Sequence, residues 1–314
     1  MSKSKSPRSI FLHQCRLRWQ LFLFLLPAVV YILIFAYYPM FGVQIAFRNY
    51  TPRGGIWNSD WVGLKWFLKF FKSYQFSRII SNTVFISFYS LIVNSPLAII
   101  MALTINLVRR KRFKKFVQTI TYIPHFISVV VLVGMIMQMF NPIMGLYGTF
   151  YRLFGGKGYP DDILNKSATF RHMYVWSGTW QNLGWNTIIY IAALSGVDPE
   201  LHEAAMIDGA SRLKRVRYID FPVLLPTVAI MLILNAGSIM SVGFEKVYLM
   251  QNSRNLVTSE VISTYVYKTG MSQGTTQFSF ASAIGLFNSV VNCLMLVIFN
   301  GIANKLSSGS FGLF

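Results

Sequence analysis

The chain reads as long apolar blocks separated by shorter polar ones. Six apolar runs stand out, approximately Trp19–Gly42, Ile79–Val108, Val117–Phe140, Met173–Leu194, Val223–Phe244 and Phe278–Asn304. Each is long enough to cross a hydrocarbon core about 30 Å thick at about 1.5 Å per residue. The pattern predicts an all-α membrane protein with six transmembrane helices. Pro27, Pro39, Pro96, Pro124 and Pro226 punctuate the runs. Membrane helices tolerate such kinks because neighbouring groups satisfy the freed carbonyls.

The fourth run is the most polar, with Trp176, Trp180, Gln181, Asn182, Trp185 and Asn186. Polar groups within a span are costly unless they face protein or water. This helix is therefore expected to look inward, toward a bundle or a pathway. Between the first two runs, "SDWVGLKWFLKFFKS" places Trp61, Leu64, Leu68 and Phe71 at helical spacing, with Lys65, Lys69 and Lys72 on another face. Ser59 or Asp60 is expected to cap this amphipathic helix in the outer interface. It suits a lipid anchor, or a basic contact to an anionic substrate or docking protein.

A second polar stretch, "GVDPELHEAAMIDGASRLKRVRYIDFPVLLP", separates the fourth and fifth runs. Asp198 suits an N-cap, Pro199 the first helical position, and Glu200 the positive end of the helix dipole. Gly209 costs about 1 kcal/mol relative to Ala in a helix interior. It makes sense if the chain turns there or another backbone comes close. Pro222 is expected to end the helix that follows, with Pro226 at the entry to the fifth span. Met206, Ala210, Leu213 and Val216 form one stripe, flanked by Arg212, Lys214, Arg215 and Arg217. The residues alone allow a headgroup anchor, a loop helix packed on its own bundle, or a docking helix for a partner's groove.

Composition supports the membrane reading. The 314 residues are 54% hydrophobic and 12% charged, against about 25% charged in soluble domains. The net charge of +19 fits topology signals and not nucleic-acid binding, since no soluble fold is left to carry a basic face. Lys3, Lys5, Arg8, Arg16 and Arg18, and the later "RRKRFKK", put the N-terminus and the loop after the second span in the cytoplasm. Alternation then makes both termini and the stretch around Glu203 cytoplasmic, and leaves about Val43–Arg78, Asn141–His172 and Glu245–Gln277 as external loops. The basic start followed by an apolar run also describes a signal peptide. The run is full length and no small-x-small site follows it, so it is read as a retained first span. The organisation expected is a tail over 1–18 and a six-helix domain over 19–314, with a cytoplasmic loop at 195–222.

Candidate chemistry is sparse. Cys15 and Cys293 are not placed to pair, and His13, His125, His172 and His202 are scattered. No metal-ligand spacing is present. "GGKG" at Gly155–Gly158 lacks the phosphate-loop spacing. No catalytic residue, metal or bound cofactor is expected. The spans hold essentially no ionisable groups, so the energy for any transport should come from a partner.

The polar stretch closely resembles the EAA motif of importer permeases in the ATP-binding-cassette (ABC) superfamily. The matching residues are Glu203, Ala204, Ala205, Gly209, Ile219 and Pro222, while Asp208 and Ala210 fit the sugar-permease form. Phe221 stands where Leu is usual. "WQNLGWNTIIYIAALSGVDPELHEAAMIDGA" and "YYPMFGVQIAF" are similar to the polysaccharide and aldouronate branch of the maltose-type permeases.

The resemblance implies a permease subunit of an oligosaccharide importer in the bacterial cytoplasmic membrane. Implied partners are a second permease, two ATPase subunits that use ATP and Mg, and an extracytoplasmic solute-binding protein. The implied coupling residues are Glu203, Ala204, Ala205, Asp208, Gly209 and Ala210, with Arg212 and Arg215 facing acidic groups of the ATPase. Sugars are held by hydrogen bonds and aromatic stacking, which makes Trp180, Gln181, Asn182, Trp185, Asn235 and Ser238 the candidate substrate pathway. The resemblance, with helices flanking the EAA loop in contact with sugar, favours Gln181, Asn182, Trp185 and Asn235; helix–helix hydrogen bonding is the other use of these side chains. An importer permease for a non-sugar solute, or a self-sufficient carrier or channel, are the alternatives.

Overall fold

The apolar runs fold as helices because a lipid-facing backbone must satisfy its own hydrogen bonds. The computed structural model describes residues 19–272 and 277–306. The basic tail, with Lys3, Lys5, Arg8, Arg16, Arg18, His13 and Cys15, lies outside the described residues. Among the described residues the only β feature is an isolated bridge between Arg48 and Trp61.

Helix α1 (Trp19–Phe47) is followed by α2 (Lys65–Phe71), α3 (Gln75–Asn106), α4 (Lys111–Tyr122) and α5 (Val129–Met139). Then come α6 (Leu146–Leu153), α7 (Ser167–Leu194), α8 (Pro199–Ile207) and α9 (Arg212–Ala236). Short helices α10 (Phe244–Met250), α11 (Leu256–Ser259) and α12 (Ile262–Tyr267) precede α13 (Phe278–Leu306). Helices α1, α3, α9 and α13 are long and apolar enough to cross a membrane. Helix α7 has 28 residues but carries the polar load already noted.

Four expectations are corrected. The run Val117–Phe140 is not one straight helix: the helical run Lys111–Phe126 and α5 meet at a bend of 96°. Pro124 lies in a 3-10 turn, and Ser128 restarts the chain by accepting from the Val131 N–H at 3.3 Å. Pro222 does not end a helix. A π turn over Val216–Asp220 absorbs the register shift ahead of it, and α9 runs on to Ala236. Ser59 does not cap α2, which starts at Lys65; its hydroxyl donates to the Gly55 carbonyl at 2.6 Å. Asp60 does not cap it either, as Leu64 holds that position without a side-chain bond. Finally, the segment between α9 and α13 is not an open loop. Val247, Met250, Val261 and Ile262 are buried in the bundle.

That last segment carries many buried polar groups, and most of them are paired, Gln251 Nε2 being an exception. The Asn82 amide donates to the carbonyls of Val257 and Glu260 at 2.9 and 3.0 Å. Asn255 donates to the Met250 carbonyl at 3.0 Å, and Arg78 pairs with Glu260. Bonds of this kind let a polar sequence fold inside a bundle.

Helix α3 packs along α7 at the centre of the bundle. Ala98, Ala102, Tyr190, Leu194 and Leu224 form the core at the end nearest α8. Gly184 lets α4 approach α7, since a Cβ there would meet the Thr121 carbonyl oxygen at 2.1 Å.

Candidate functional site

Small polar side chains recur on α3 at Ser87, Ser90 and Asn94, a spacing that keeps them on one helical face. The bundle sets this face against Asn186 of α7, Asn235 near the end of α9 and Ser238 just beyond it. The result is a cavity of about 250 Å³ with no charged residue in its wall. Asn94 is held by the Thr179 hydroxyl, which donates to its Oδ1 at 2.8 Å. Such a site offers hydroxyl and amide groups that donate and accept, as neutral polyols require.

The sequence-chosen pathway residues divide. Asn235 and Ser238 line the cavity. Gln181 is buried and donates to the Ile127 carbonyl at 2.8 Å, satisfying the break between α4 and α5. Asn182 Oδ1 lies 2.9 Å from His125 Nδ1. Trp185 stacks on His125 with centroids 4.3 Å apart and planes 6° apart. Trp180 is 51% exposed. Gln181, Asn182 and Trp185 are thus gathered at the α4–α5 break and do not line the cavity. Ser87, Ser90 and Asn94 were not singled out in the sequence, although their spacing within an apolar run was the available signal.

Lys246 of α10, outside the spans, is 8% exposed. Its ammonium donates to the Tyr174 carbonyl at 2.8 Å and sits 4.8 Å above the Tyr174 ring. Burial pushes its pKa down to about 8. Tyr174 itself lines the cavity.

The loop around Glu203 is two helices joined by a tight turn. The Asp198 carboxylate accepts from the Glu200 N–H at 3.0 Å and starts α8. At the other end the Gly209 N–H donates to the Met206 carbonyl at 3.1 Å and the Ala210 N–H to the Ala205 carbonyl at 2.8 Å. This pair of bonds is a Schellman closure, which needs a left-handed residue between them. Gly209 supplies it at φ +73°, and nothing lies within 4 Å of where its Cβ would be. The turn, not close packing, requires the glycine. Ser211 then caps α9 by accepting from the Lys214 N–H at 3.4 Å.

Glu203, Ala204, Asp208, Gly209 and Arg212 are exposed, while Ala205, Ala210 and Arg215 are half-buried. Ile207 and Leu213 are 87% and 77% exposed. Glu203, Arg212 and Arg215 share a groove of about 560 Å³ with His202 and Asp220. Among the described residues, then, the loop presents apolar and charged groups together on an open surface.

Residues 94–306 match the binding-protein-dependent transport system inner membrane component family. The chain belongs to that family. The permease is thus a multi-pass component of a bacterial cell membrane and a transport protein, not an enzyme. It is 40% identical over 285 residues to the polygalacturonan/rhamnogalacturonan transport system permease protein YteP of Bacillus subtilis (strain 168), covering 91% of this chain and 88% of YteP. It also matches a chain from the crystal structure of a bacterial ABC transporter involved in the import of the acidic polysaccharide alginate. There the TM-score is 0.84 at 35% identity, over 94% of this chain and 98% of the other. A second structure, of the bacterial alginate ABC transporter in complex with alginate pentasaccharide-bound periplasmic protein, gives a TM-score of 0.85 at 34% identity, over 95% and 98%.

Proposed function

We propose that this permease forms one half of the translocation pathway of an ATP-driven importer for oligosaccharides or polysaccharide fragments. The observation that carries the reading is the charge-free polar cavity between α3, α7 and α9, on the helices that flank the loop around Glu203. Its hydroxyl and amide groups suit sugar hydroxyls, which are held by hydrogen bonds in water-excluded sites. A second permease, usually a different chain, would complete the pathway. The named cargo of the relatives supports a carbohydrate over a peptide or osmolyte.

In this reading six spans cross the membrane: α1, α3, the bent α4–α5 pair, α7, α9 and α13. Both termini are cytoplasmic, with the tail at 1–18 and the coupling loop at 195–222. Two cytoplasmic ATPase subunits use ATP and Mg, and this chain binds neither. An extracytoplasmic solute-binding protein delivers the sugar; the presence of an alginate pentasaccharide-bound periplasmic protein in the complex of the similar alginate transporter supports this. Glu203, Ala204, Ala205, Asp208, Gly209 and Ala210 form the part of the loop that seats in the ATPase, with Arg212 and Arg215 on its basic flank. Exposed Ile207 and Leu213 would fill apolar pockets of that partner. ATP-driven closure of the ATPases moves the loop as a lever and rocks the two permeases between inward- and outward-open states. Asn235 and Ser238 contact sugar, while Gln181, Asn182 and Trp185 hold the α4–α5 break in place.

The test is to purify the chain with its co-expressed partners and screen oligogalacturonides and alginate oligosaccharides, with binding protein present, for stimulation of ATPase activity. Stimulation by oligosaccharides supports the reading. Stimulation by peptides or osmolytes alone contradicts it.

A further inference from the structure

Helix α8 buries none of its nine residues. Apolar packing therefore contributes little to holding it against the bundle, and a polar contact must fix its position. That contact is a single carboxylate. Asp220 is 2% exposed, and its Oδ1 lies 3.2 Å from Nε2 of His202 on α8. The same oxygen accepts from the Asn106 amide at 3.4 Å. Asn106 is the last residue of α3, and Asp220 closes the π turn within α9. Three elements thus meet at one buried oxygen.

A buried carboxylate is costly unless it is well compensated. Here one imidazole and one amide surround it, and the nearby Arg215 has a buried Nε with no hydrogen-bond partner among the described residues. An apolar side chain would fill the position at lower cost. What the carboxylate adds is a directional tie between α8 and two long helices. Those helices carry the cavity: Asn94 on α3 lies twelve residues from Asn106, and Asn235 on α9 lies fifteen from Asp220. At about 1.5 Å per residue each is a rod of roughly 20 Å.

We propose that Asp220 and His202 form a latch that fixes α8 to α3 and α9, so that movement of the coupling loop reaches both walls of the cavity together. Asp220 is a positioning residue; it touches neither sugar nor ATP. The proposal rests on the coupling role given to the loop above. Without the latch, α8 could follow the ATPase while the turn at 195–198 absorbed the motion.

The test uses the complete importer in lipid nanodiscs, with Cys15 and Cys293 replaced by Ser and a reporter introduced as Ser90→Cys in the cavity wall. Labelling by a water-soluble maleimide is timed before and after trapping with ATP and vanadate, and no transported sugar is needed. The parent is expected to change its labelling rate on trapping. His202→Ala and Asp220→Asn are expected to keep the ATPase bound and hydrolysing, yet to lose that change about tenfold. The double variant should be no worse than either single, and His202→Gln should recover part of the change through its amide donor. A tie that is merely structural would lower the yield and leave the switch intact in the complexes that assemble. An intact switch in both singles, or losses that multiply in the double variant, overturns the latch. If the parent itself does not switch, the coupling reading fails and the latch with it; a parent that switches beside variants that also switch removes the latch alone.

Discussion

The Ala210 N–H donates to the Ala205 carbonyl at 2.8 Å, closing the end of α8 around Gly209. Ala205 of the EAA motif and Ala210, which fits its sugar-permease form, are thereby the two ends of one hydrogen bond. Gly209→Ala keeps both N–H donors but forces a Cβ into the left-handed region, at a cost of about 1–2 kcal/mol. Space is not at issue there. Gly209→Pro also removes the donor to Met206. Pull-down of the ATPase from membranes is expected to fall modestly for Ala and at least tenfold for Pro, with the permease itself at parental abundance.

A different glycine is needed for space. Gly184→Leu would drive a side chain into the Thr121 carbonyl and separate α4 from α7. Overpacking of this kind typically costs about 1–3 kcal/mol, occasionally more. The thermal midpoint of the purified complex should drop by several degrees, while Gly285→Ala, which has nothing within 4 Å, should leave it near the parental value.

Lys246 gives a pH dependence. Its pKa falls from 10.5 to about 8 because burial disfavours the ammonium. A lowered pKa in the folded protein means that protonation opposes folding. The penalty is in full force below pH about 8 and fades as the pH rises from about 8 toward 10.5. Lys246→Met is therefore expected to stabilise the complex at pH 7 by on the order of 1–3 kcal/mol, and by less at pH 9.5. Melting curves at the two pH values check this, and an equal shift at both would contradict it.

The cavity wall and the α4–α5 break should respond differently to mutation. Asn235→Ala removes a cavity group and is expected to raise the sugar concentration for half-maximal uptake several-fold, with assembly unchanged. Gln181→Ala leaves the Ile127 carbonyl without its donor. It is expected to cost about 1–3 kcal/mol of stability, with little change in sugar preference. Uptake kinetics and melting curves on the same preparations separate the two.

Much of this was legible in the residues, for physical reasons. Apolar runs such as those in α3 and α13 have few folded alternatives in lipid, so their helices follow from hydropathy. Asp198 and Pro199 marked the start of α8 because a cap and a first-turn proline act locally. The 96° bend was not legible. Hydropathy is continuous across Pro124, and Ser128 acts as a cap only because the chain has already turned. Pro222 misled because its cost is absorbed by a π turn that depends on surrounding contacts. The buried segment from α10 to α12 read as a loop because its amides are satisfied by distant partners, Asn82 to Val257 among them. The cavity was half visible. Asn235 and Ser238 stood out near the motif, whereas the serines of α3 are too small to disturb its apolar average.

Sugar import is expected to run on ATP through the loop around Glu203. The most direct measurement is uptake of alginate pentasaccharide and of oligogalacturonides into proteoliposomes holding the complete importer and its binding protein. Uptake of at least one of them should require ATP, with Glu203→Lys and Gly209→Pro abolishing it while leaving the permease folded. Uptake that persists without ATP, or that is unchanged in both variants, would contradict it.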